Sequence, residues 1–220
     1  MADRARIFIV DDHPLVREWL GALLRRQPDF EVCGQAEDVA SALMSMIRER
    51  PDVAIVDLSL QSGSGLDLIK DLRAQVPEVA VIVLSMHEEI YYAERALRAG
   101  ARGYIMKSES TGRVVEAIRR VRAGHVYASE EMLARLVERM VGGRAVLSPQ
   151  GPVATLSDRE IEVFRRLGQG QTTRQIATDL NVSMKTIQAY CARIKEKLGL
   201  ASGTELVRDA VRWIERERHA

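Results

Sequence analysis

Asp57 closes the apolar run Val53-Ala-Ile-Val-Asp, and the acid pair Asp11 and Asp12 closes the run Ala5-Arg-Ile-Phe-Ile-Val. Ser85 ends Ala80-Val-Ile-Val-Leu-Ser, and Lys107 follows Gly103-Tyr-Ile-Met. One Asp at the end of an apolar run is ordinarily a polar loop residue, because charged side chains are seldom fully buried. The same placement at four runs points instead to a shared site. Three carboxylates brought together repel and cannot all stay ionised without a cation. A hard divalent ion such as Mg²⁺ suits carboxylate oxygens, water and phosphate. The Lys107 ammonium is a fixed charge for a phosphoryl oxygen, and the Ser85 hydroxyl can donate to another. A carboxylate can also be a nucleophile and become an aspartyl phosphate. Metal and ammonium would then stabilise the charge spread over the transferring group.

For these residues to meet, the runs before them must be neighbouring strands. Five short runs rich in Val, Ile or aromatics read as strands: residues 5–10, 30–36, 53–57, 80–85 and 103–106. Between them, apolar residues recur at spacings of three and four. The first such stretch holds Leu15, Trp19, Leu20, Leu23 and Leu24, and the second Leu43, Met46 and Ile47. Leu66, Ile69 and Leu72, then Tyr92, Ala96 and Leu97, then Val114, Val115, Ile118 and Val121 follow. Five strands alternating with five helices imply an α/β domain with a parallel sheet covered on both faces. Right-handed crossovers make it doubly wound. In such a sheet, sites form beyond the C-terminal strand ends. With strand order 2-1-3-4-5, Asp11, Asp12, Asp57, Ser85 and Lys107 converge on one crevice. His13, beside Pro14 at a helix start, is expected to be a capping or loop residue, and Cys33 a small core hydrophobe.

The 220 residues leave room for a second unit. From Leu156 the pattern is helical throughout. Ser157 and Glu160 form a capping box that opens one helix, and Gly168 and Gly170 close it. Thr172 or Thr173 opens a second helix. Ser183 caps a third, closed by Gly199, and Thr204 opens a fourth that ends near Arg218. Two helices joined by a short turn, the second one long, are a helix-turn-helix arrangement in an all-α four-helix domain. On the third helix Ile187, Cys191, Ile194 and Leu198 share one face. The opposite face carries Lys185, Ala189, Ala192 and Glu196, with Gln188 and Arg193 at its edges. Small residues let a helix enter the major groove, and polar ones reach base edges. The stretch "VGGRAVLSPQGPVA" has the composition of a linker. The expected division is 1–124, a joint with a short helix over 125–153, and 154–220.

Composition narrows the setting. Net charge is +1, but residues 1–124 hold 17 Lys+Arg against 19 Asp+Glu, while residues 157–220 hold 12 against 9. An acidic front and a basic back suit different partners. Two distant cysteines, Cys33 and Cys191, argue against a disulfide framework and for a reducing, cytoplasmic setting. No apolar stretch approaches the roughly 20 residues of a membrane span. The start "MADRARIFIV" does not read as a signal peptide, so no membrane partner is expected.

"IVDDHP", the Asp ending strand three, the Ser ending strand four and "GARGYIMK" resemble the receiver domain of two-component response regulators, over residues 5–123. The resemblance implies a flavodoxin-like sheet in which Asp57 accepts a phosphoryl group from the phosphohistidine of a sensor histidine kinase. It also implies Mg²⁺ bound by Asp12, Asp57 and the backbone carbonyl of Ser59, with Asp11 assisting through water. Ser85 and Tyr104 match the hydroxyl and aromatic positions that switch inward on phosphorylation, and Lys107 matches the family's lysine. Many receivers have Pro after that Lys, with a cis bond. Here Ser108 follows, and because a cis non-Pro bond costs about 3 kcal/mol, a trans bond is expected.

"LSDREIEVFRRLGQGQTTRQIATDLNVSMKTIQAYCARIKEKLGL" resembles the LuxR-type helix-turn-helix domain over residues 154–216. A receiver followed by this domain is the NarL/FixJ-type architecture. It implies a transcription factor, dimeric when phosphorylated, whose partners are a kinase, double-stranded DNA and RNA polymerase. Expected DNA contacts are Thr172, Thr173, Arg174, Ser183, Lys185, Thr186, Gln188, Ala189, Ala192 and Arg193. Where the family often has Thr-Val-Lys-x-His, this chain has Thr186-Ile187-Gln188-Ala189-Tyr190. Losing that Lys removes a charge contact, flattens the salt dependence by about one unit and implies an altered half-site. Leu206, Val207, Ala210, Val211 and Ile214 on the last helix suit a dimer surface or intradomain packing equally. Two rival readings remain. Haloacid-dehalogenase-type phosphatases share the Asp nucleophile and Mg²⁺, but need a second acid where this chain has Ser59. A receiver that signals through protein contacts, with DNA binding weak or lost, is the other.

Overall fold

The computed structural model describes residues 4–58, 60, 63–85, 89–109, 111–130, 132–134, 137, 153, 155–180 and 182–219. The chain divides into two compact units, Met1–Val141 and Gly142–Ala220. In the first, strands β1 (Ala5–Val10), β2 (Phe30–Ala36), β3 (Val53–Val56), β4 (Ala80–Ser85) and β5 (Gly103–Met106) alternate with helices. The helices are α1 (Pro14–Arg25), α2 (Val39–Glu49), α3 (Gly65–Gln75), α4 (Glu89–Ala99) and α5 (Thr111–Arg122). The sheet is five-stranded and parallel, in the order β2-β1-β3-β4-β5. All four residues of β3 are buried, as a central strand covered on both faces requires.

Burial corrects the helix faces in two places. On α1, Leu20 and Leu24 form the core face, whereas Leu15 is 79% exposed and Trp19 36%. On α2, Ala42 and Met46 are buried and Ile47 turns outward. Spacing alone admits either neighbouring stripe, and packing on the sheet chooses one. Cys33 is half-buried, at the bulge where β1 and β2 shift register, and its thiol donates to the Ile7 carbonyl at 3.4 Å. The register shift lets Gly34 lie against Phe8; a Cβ on Gly34 would sit 2.3 Å from that ring. No described peptide bond is cis, so Lys107–Ser108 is trans as expected.

In the second unit, α6 (Asp158–Gly168), α7 (Thr173–Asp179), α8 (Met184–Leu198) and α9 (Gly203–His219) follow one another. Ser157 and Glu160 form the expected capping box on α6. Thr172, rather than Thr173, caps α7, boxed with Gln175. Ser183 caps α8, and Gly199 closes it in the left-handed conformation that glycine tolerates best. The last helix opens earlier than its sequence suggests: the Ser202 hydroxyl, not Thr204, accepts the Glu205 N–H at 3.1 Å. Leu206, Ala210, Trp213 and Ile214 of α9 are buried, and Trp213 stacks obliquely on Phe164 of α6 with centroids 5.6 Å apart. That leaves only Val207 of the candidate dimer stripe well exposed, at 41%. The short helix expected near 130–140 is described only at residues 130, 132–134 and 137, and the linker stretch 138–152 lies outside the described residues.

Candidate functional site

Backbone bonds beyond the strand ends fix the acids in place. The Asp57 N–H donates to the Val10 carbonyl at 2.8 Å, and the Asp11 N–H to Ala36 at 3.2 Å, each extending a strand ladder by one residue. Asp57 therefore lies just past β3 and beside Asp11. On the other flank the Lys107 N–H donates to the Ser85 carbonyl at 2.7 Å. Gly65, the first residue of α3, packs against this corner. A Cβ there would lie 2.2 Å from the Asp57 carbonyl oxygen, so only glycine permits the approach.

The side chains then converge. Lys107 Nζ lies 2.7 Å from Asp57 Oδ2 and 2.7 Å from Asp11 Oδ2. All three side chains are buried. Burial by itself works to lower the Lys107 pKa; the Asp57 and Asp11 carboxylates together outweigh it, and the ammonium titrates above its ordinary value. One oxygen from each of Asp11, Asp12 and Asp57, with a ring nitrogen of His13, lies within 4.8 Å of the others.

His13 is the member that sequence reasoning passed over. It sits at the N-cap position of α1, as expected, but its side chain makes no cap. Its N–H donates to Asp11 Oδ1 at 2.9 Å, and its ring Nδ1 lies 3.2 Å from that oxygen and 2.8 Å from Asp12 Oδ1. The sequence signal was its position after an acid pair. Asp12 Oδ1 is buried and accepts no hydrogen bond, although the His13 ring nitrogen lies 2.8 Å away. A buried carboxylate oxygen without a donor, facing two further carboxylates, is what a hard cation would satisfy. Asp11, by contrast, has both oxygens engaged by protein groups. The residues present therefore fit a divalent ion.

Ser85, the last residue of β4, is fully buried, and Tyr104 is buried within β5 opposite Val83. Ser59 lies outside the described residues. In the second unit, Ile187 and Ile194 are fully buried and Cys191 and Leu198 half-buried, while Lys185, Gln188, Ala189, Ala192 and Arg193 are exposed. Thr172 and Arg174 are exposed and Thr173 half-buried. Several expected contact hydroxyls are already engaged. Ser183 Oγ accepts the Thr186 N–H at 3.1 Å and lies 2.8 Å from Thr186 Oγ1, and Thr172 Oγ1 donates to Gln175 Oε1 at 2.8 Å.

Sequence reasoning also missed how the helix-turn-helix is braced. Arg166 donates to Glu162 at 2.7 Å and to Asp179, at the end of α7, at 3.1 Å. Arg165 also meets Glu162, at 3.1 Å. Burial pushes the Glu162 pKa up, but the two guanidiniums outweigh it and hold the carboxyl below its ordinary range. Lys197 of α8 reaches Glu160 at 2.6 Å, joining the recognition-helix end to the cap of α6.

A family model described as the response regulator receiver domain matches residues 7–119, and one described as bacterial regulatory proteins, luxR family, matches residues 154–210. The chain is a NarL/FixJ-type two-component response regulator. Among response regulators it is 35% identical over 210 residues to the oxygen regulatory protein NreC of Staphylococcus carnosus, covering 94% of this chain and 97% of that one. Among solved structures it resembles RcsB from Salmonella enterica serovar Typhimurium bound to the promoter P1flhDC in the presence of phosphomimetic BeF3⁻. The TM-score is 0.67 at 26% identity, over 94% of this chain and 98% of that one. The receiver domain of NarL from Mycobacterium tuberculosis matches at TM-score 0.54 and 29% identity, over 56% of this chain and 99% of that one. As a response regulator, the chain carries a receiver and a LuxR-type DNA-binding domain, and its catalysis is confined to its own aspartate. Among the described residues, no helix is long and apolar enough to cross a membrane.

Proposed function

We propose that Asp57 is the phosphoacceptor of a cytoplasmic switch, charged by a sensor histidine kinase, that controls binding of residues 154–220 to DNA and hence transcription. The observation that carries this is the pairing of Lys107 with both Asp57 and Asp11 beside an Asp12 oxygen left without a donor. An Asp57 oxygen attacks the phosphorus of a phosphohistidine, a P–O bond forms as the P–N bond breaks, and the imidazole leaves with the electron pair. Lys107 then turns from the carboxylate to a phosphoryl oxygen, and the Ser85 hydroxyl donates to another. Asp12 and Asp57, with the Ser59 carbonyl, would hold Mg²⁺, which supplies positive charge against the transferring group. Asp11 keeps Lys107 charged and orients water. Tyr104, already buried in β5, repositions as Ser85 is drawn to the phosphoryl group. Residues 1–124 thus act on 154–220 through the joint 125–153, and pairing of two phosphorylated copies places two helix-turn-helix units on two half-sites. RNA polymerase is the partner downstream.

The test is to treat the protein with beryllofluoride or acetyl phosphate and Mg²⁺. Intact mass should rise by one phosphoryl group with acetyl phosphate, and Asp57→Asn should abolish the gain. A gain that survives in Asp57→Asn removes the assignment. Gel shift on random duplex DNA at low salt addresses the rest; no shift in either state would leave the protein-contact reading in place.

A further inference from the structure

The exposed side of α8 is made of two rows of different chemistry. At about 100° per residue, side chains four apart stack along a helix. Met184, Gln188 and Ala192 form one row, and Lys185, Ala189 and Arg193 the next. As far as Ala192 the first row holds no charge; exposed Glu196 continues it one turn further on. Met184 is 45% exposed, beside Val182 at 38% in the preceding turn, so apolar surface is left in water at the helix start. The second row is cationic at both ends and small in the middle. Gln188 is exposed, and its side chain makes no hydrogen bond among the described residues. Ser183 and Thr186, the hydroxyls nearest this row, are engaged with each other.

These rows suit different parts of a duplex. Ammonium and guanidinium groups meet phosphates without regard to sequence. A neutral amide offers one donor and one acceptor. That pair complements the N6–H and N7 of adenine, whereas guanine presents two acceptors there. Exposed methyl and thioether groups suit the 5-methyl of thymine. Along the row, Met184 and Ala192 lie about 6 Å to either side of Gln188, which is roughly two base-pair steps.

Resting on the DNA-binding reading above, we propose that α8 reads an A·T-centred half-site. Gln188 holds an adenine, Met184 and Ala192 contact thymine methyl groups within about two steps on either side, and Lys185 and Arg193 hold the backbone.

The probe is a duplex library with a randomised core, selected on the full chain after beryllofluoride and Mg²⁺ treatment. The enriched half-site should place adenine at one invariant position. Replacing that adenine by 7-deazaadenine should weaken binding about tenfold, and replacing flanking thymines by uracil should weaken it several-fold. In Gln188→Ala the 7-deazaadenine penalty should vanish while the fold, tested by circular dichroism, is kept. In Met184→Ser the uracil penalty on one side should vanish. Gln188→Lys should shift the selected base toward guanine and steepen the salt dependence by about one unit. Enrichment of a motif with G·C at that position, or a 7-deazaadenine penalty unchanged in Gln188→Ala, overturns the inference and leaves DNA binding standing. No enrichment from a chain that still occupies Asp57 overturns both.

Discussion

Lys107→Met is the perturbation that separates an organised site from a chance cluster. Lys107 Nζ lies 2.7 Å from two buried carboxylates. Removing one partner of a buried ion pair costs about 3–5 kcal/mol, because the other charge is left uncompensated. Here two are left, with Asp12 beside them. At the 4.8 Å limit of the cluster, two unit charges repel by about 3.5 kcal/mol at an effective dielectric of about 20. The two figures agree in size, so the metal-free variant should lose about 3–5 kcal/mol, or roughly 10–20 °C in midpoint for a domain of this size. Because the Lys107 pKa is raised, its contribution is fully present below the ordinary 10.5 and is lost only as pH rises through the raised value. A measurement at pH 7 therefore reads the whole effect.

The chain supplies its own probes, since its two tryptophans are Trp19 and Trp213. In a Trp213→Phe background, Trp19 fluorescence follows the receiver alone through urea unfolding. Mg²⁺ should stabilise Lys107→Met more than the parent, because the ion replaces a missing charge rather than adding to one present. A double-mutant cycle with Asp57→Asn should show coupling above about 1 kcal/mol. A loss under about 1 kcal/mol in Lys107→Met, or equal Mg²⁺ stabilisation of both proteins, would refute the reasoning.

Other changes test the surroundings. Gly65→Ala places a methyl 2.2 Å from the Asp57 carbonyl, so it should cost about 1–3 kcal/mol and slow phosphorylation by acetyl phosphate. Gly34→Ala meets the Phe8 ring at 2.3 Å and should cost a similar 1–3 kcal/mol in urea unfolding, but leave the phosphorylation rate unchanged. Tyr127→Ala, which removes a half-buried ring over Arg120, should destabilise the receiver by about 2 kcal/mol and speed hydrogen exchange at the Tyr104 amide. Glu160 and Glu162 both titrate below the ordinary 4.5. The stability they contribute is present above 4.5 and lost as pH falls through the depressed values, which acid unfolding followed by Trp213 fluorescence should show.

The strands were legible because a parallel sheet buried on both faces writes itself as short continuous apolar runs, and no other element here does. Four of the five expected strand ranges match the observed bounds residue for residue; the third stops one residue short, at Val56, although the Asp57 N–H still reaches the Val10 carbonyl of the neighbouring strand. The helix faces were less legible. Leu15 and Trp19 keep the spacing of Leu20 and Leu24, but only packing on the sheet decides which stripe is covered. Asp57 and Lys107 could be paired from strand order alone, whereas the place of His13 depends on a ring rotamer that no spacing encodes. The Glu162–Arg166–Asp179 brace was unreadable for a similar reason: three charges on two amphipathic helices look like solvated surface until the fold brings them together and buries Glu162 and Arg166.

The same limit hid how the receiver holds the chain just beyond α5. The chain does not leave the sheet at the end of α5. Gly124, at φ +86°, turns it back, and Tyr127 bridges to Gly103 as a parallel partner on the open edge of β5. The Tyr127 N–H donates to the Arg102 carbonyl, and the Tyr104 N–H donates to the Tyr127 carbonyl, both at 2.9 Å. The Tyr127 ring packs on the core beneath, and Ser129 then caps the next turn by accepting the Met132 N–H at 3.1 Å. Lys107 is bonded through its own N–H to Ser85 at the end of β4 and lies three residues from Tyr104. A short run of backbone hydrogen bonds and one strand thus connects the acid crevice to residue 127. Rigid, paired backbone transmits a shift that a flexible tether would absorb. On the phosphoacceptor reading proposed above, a change in what Lys107 and Ser85 hold is felt first at the β5 edge, where Tyr127 pairs.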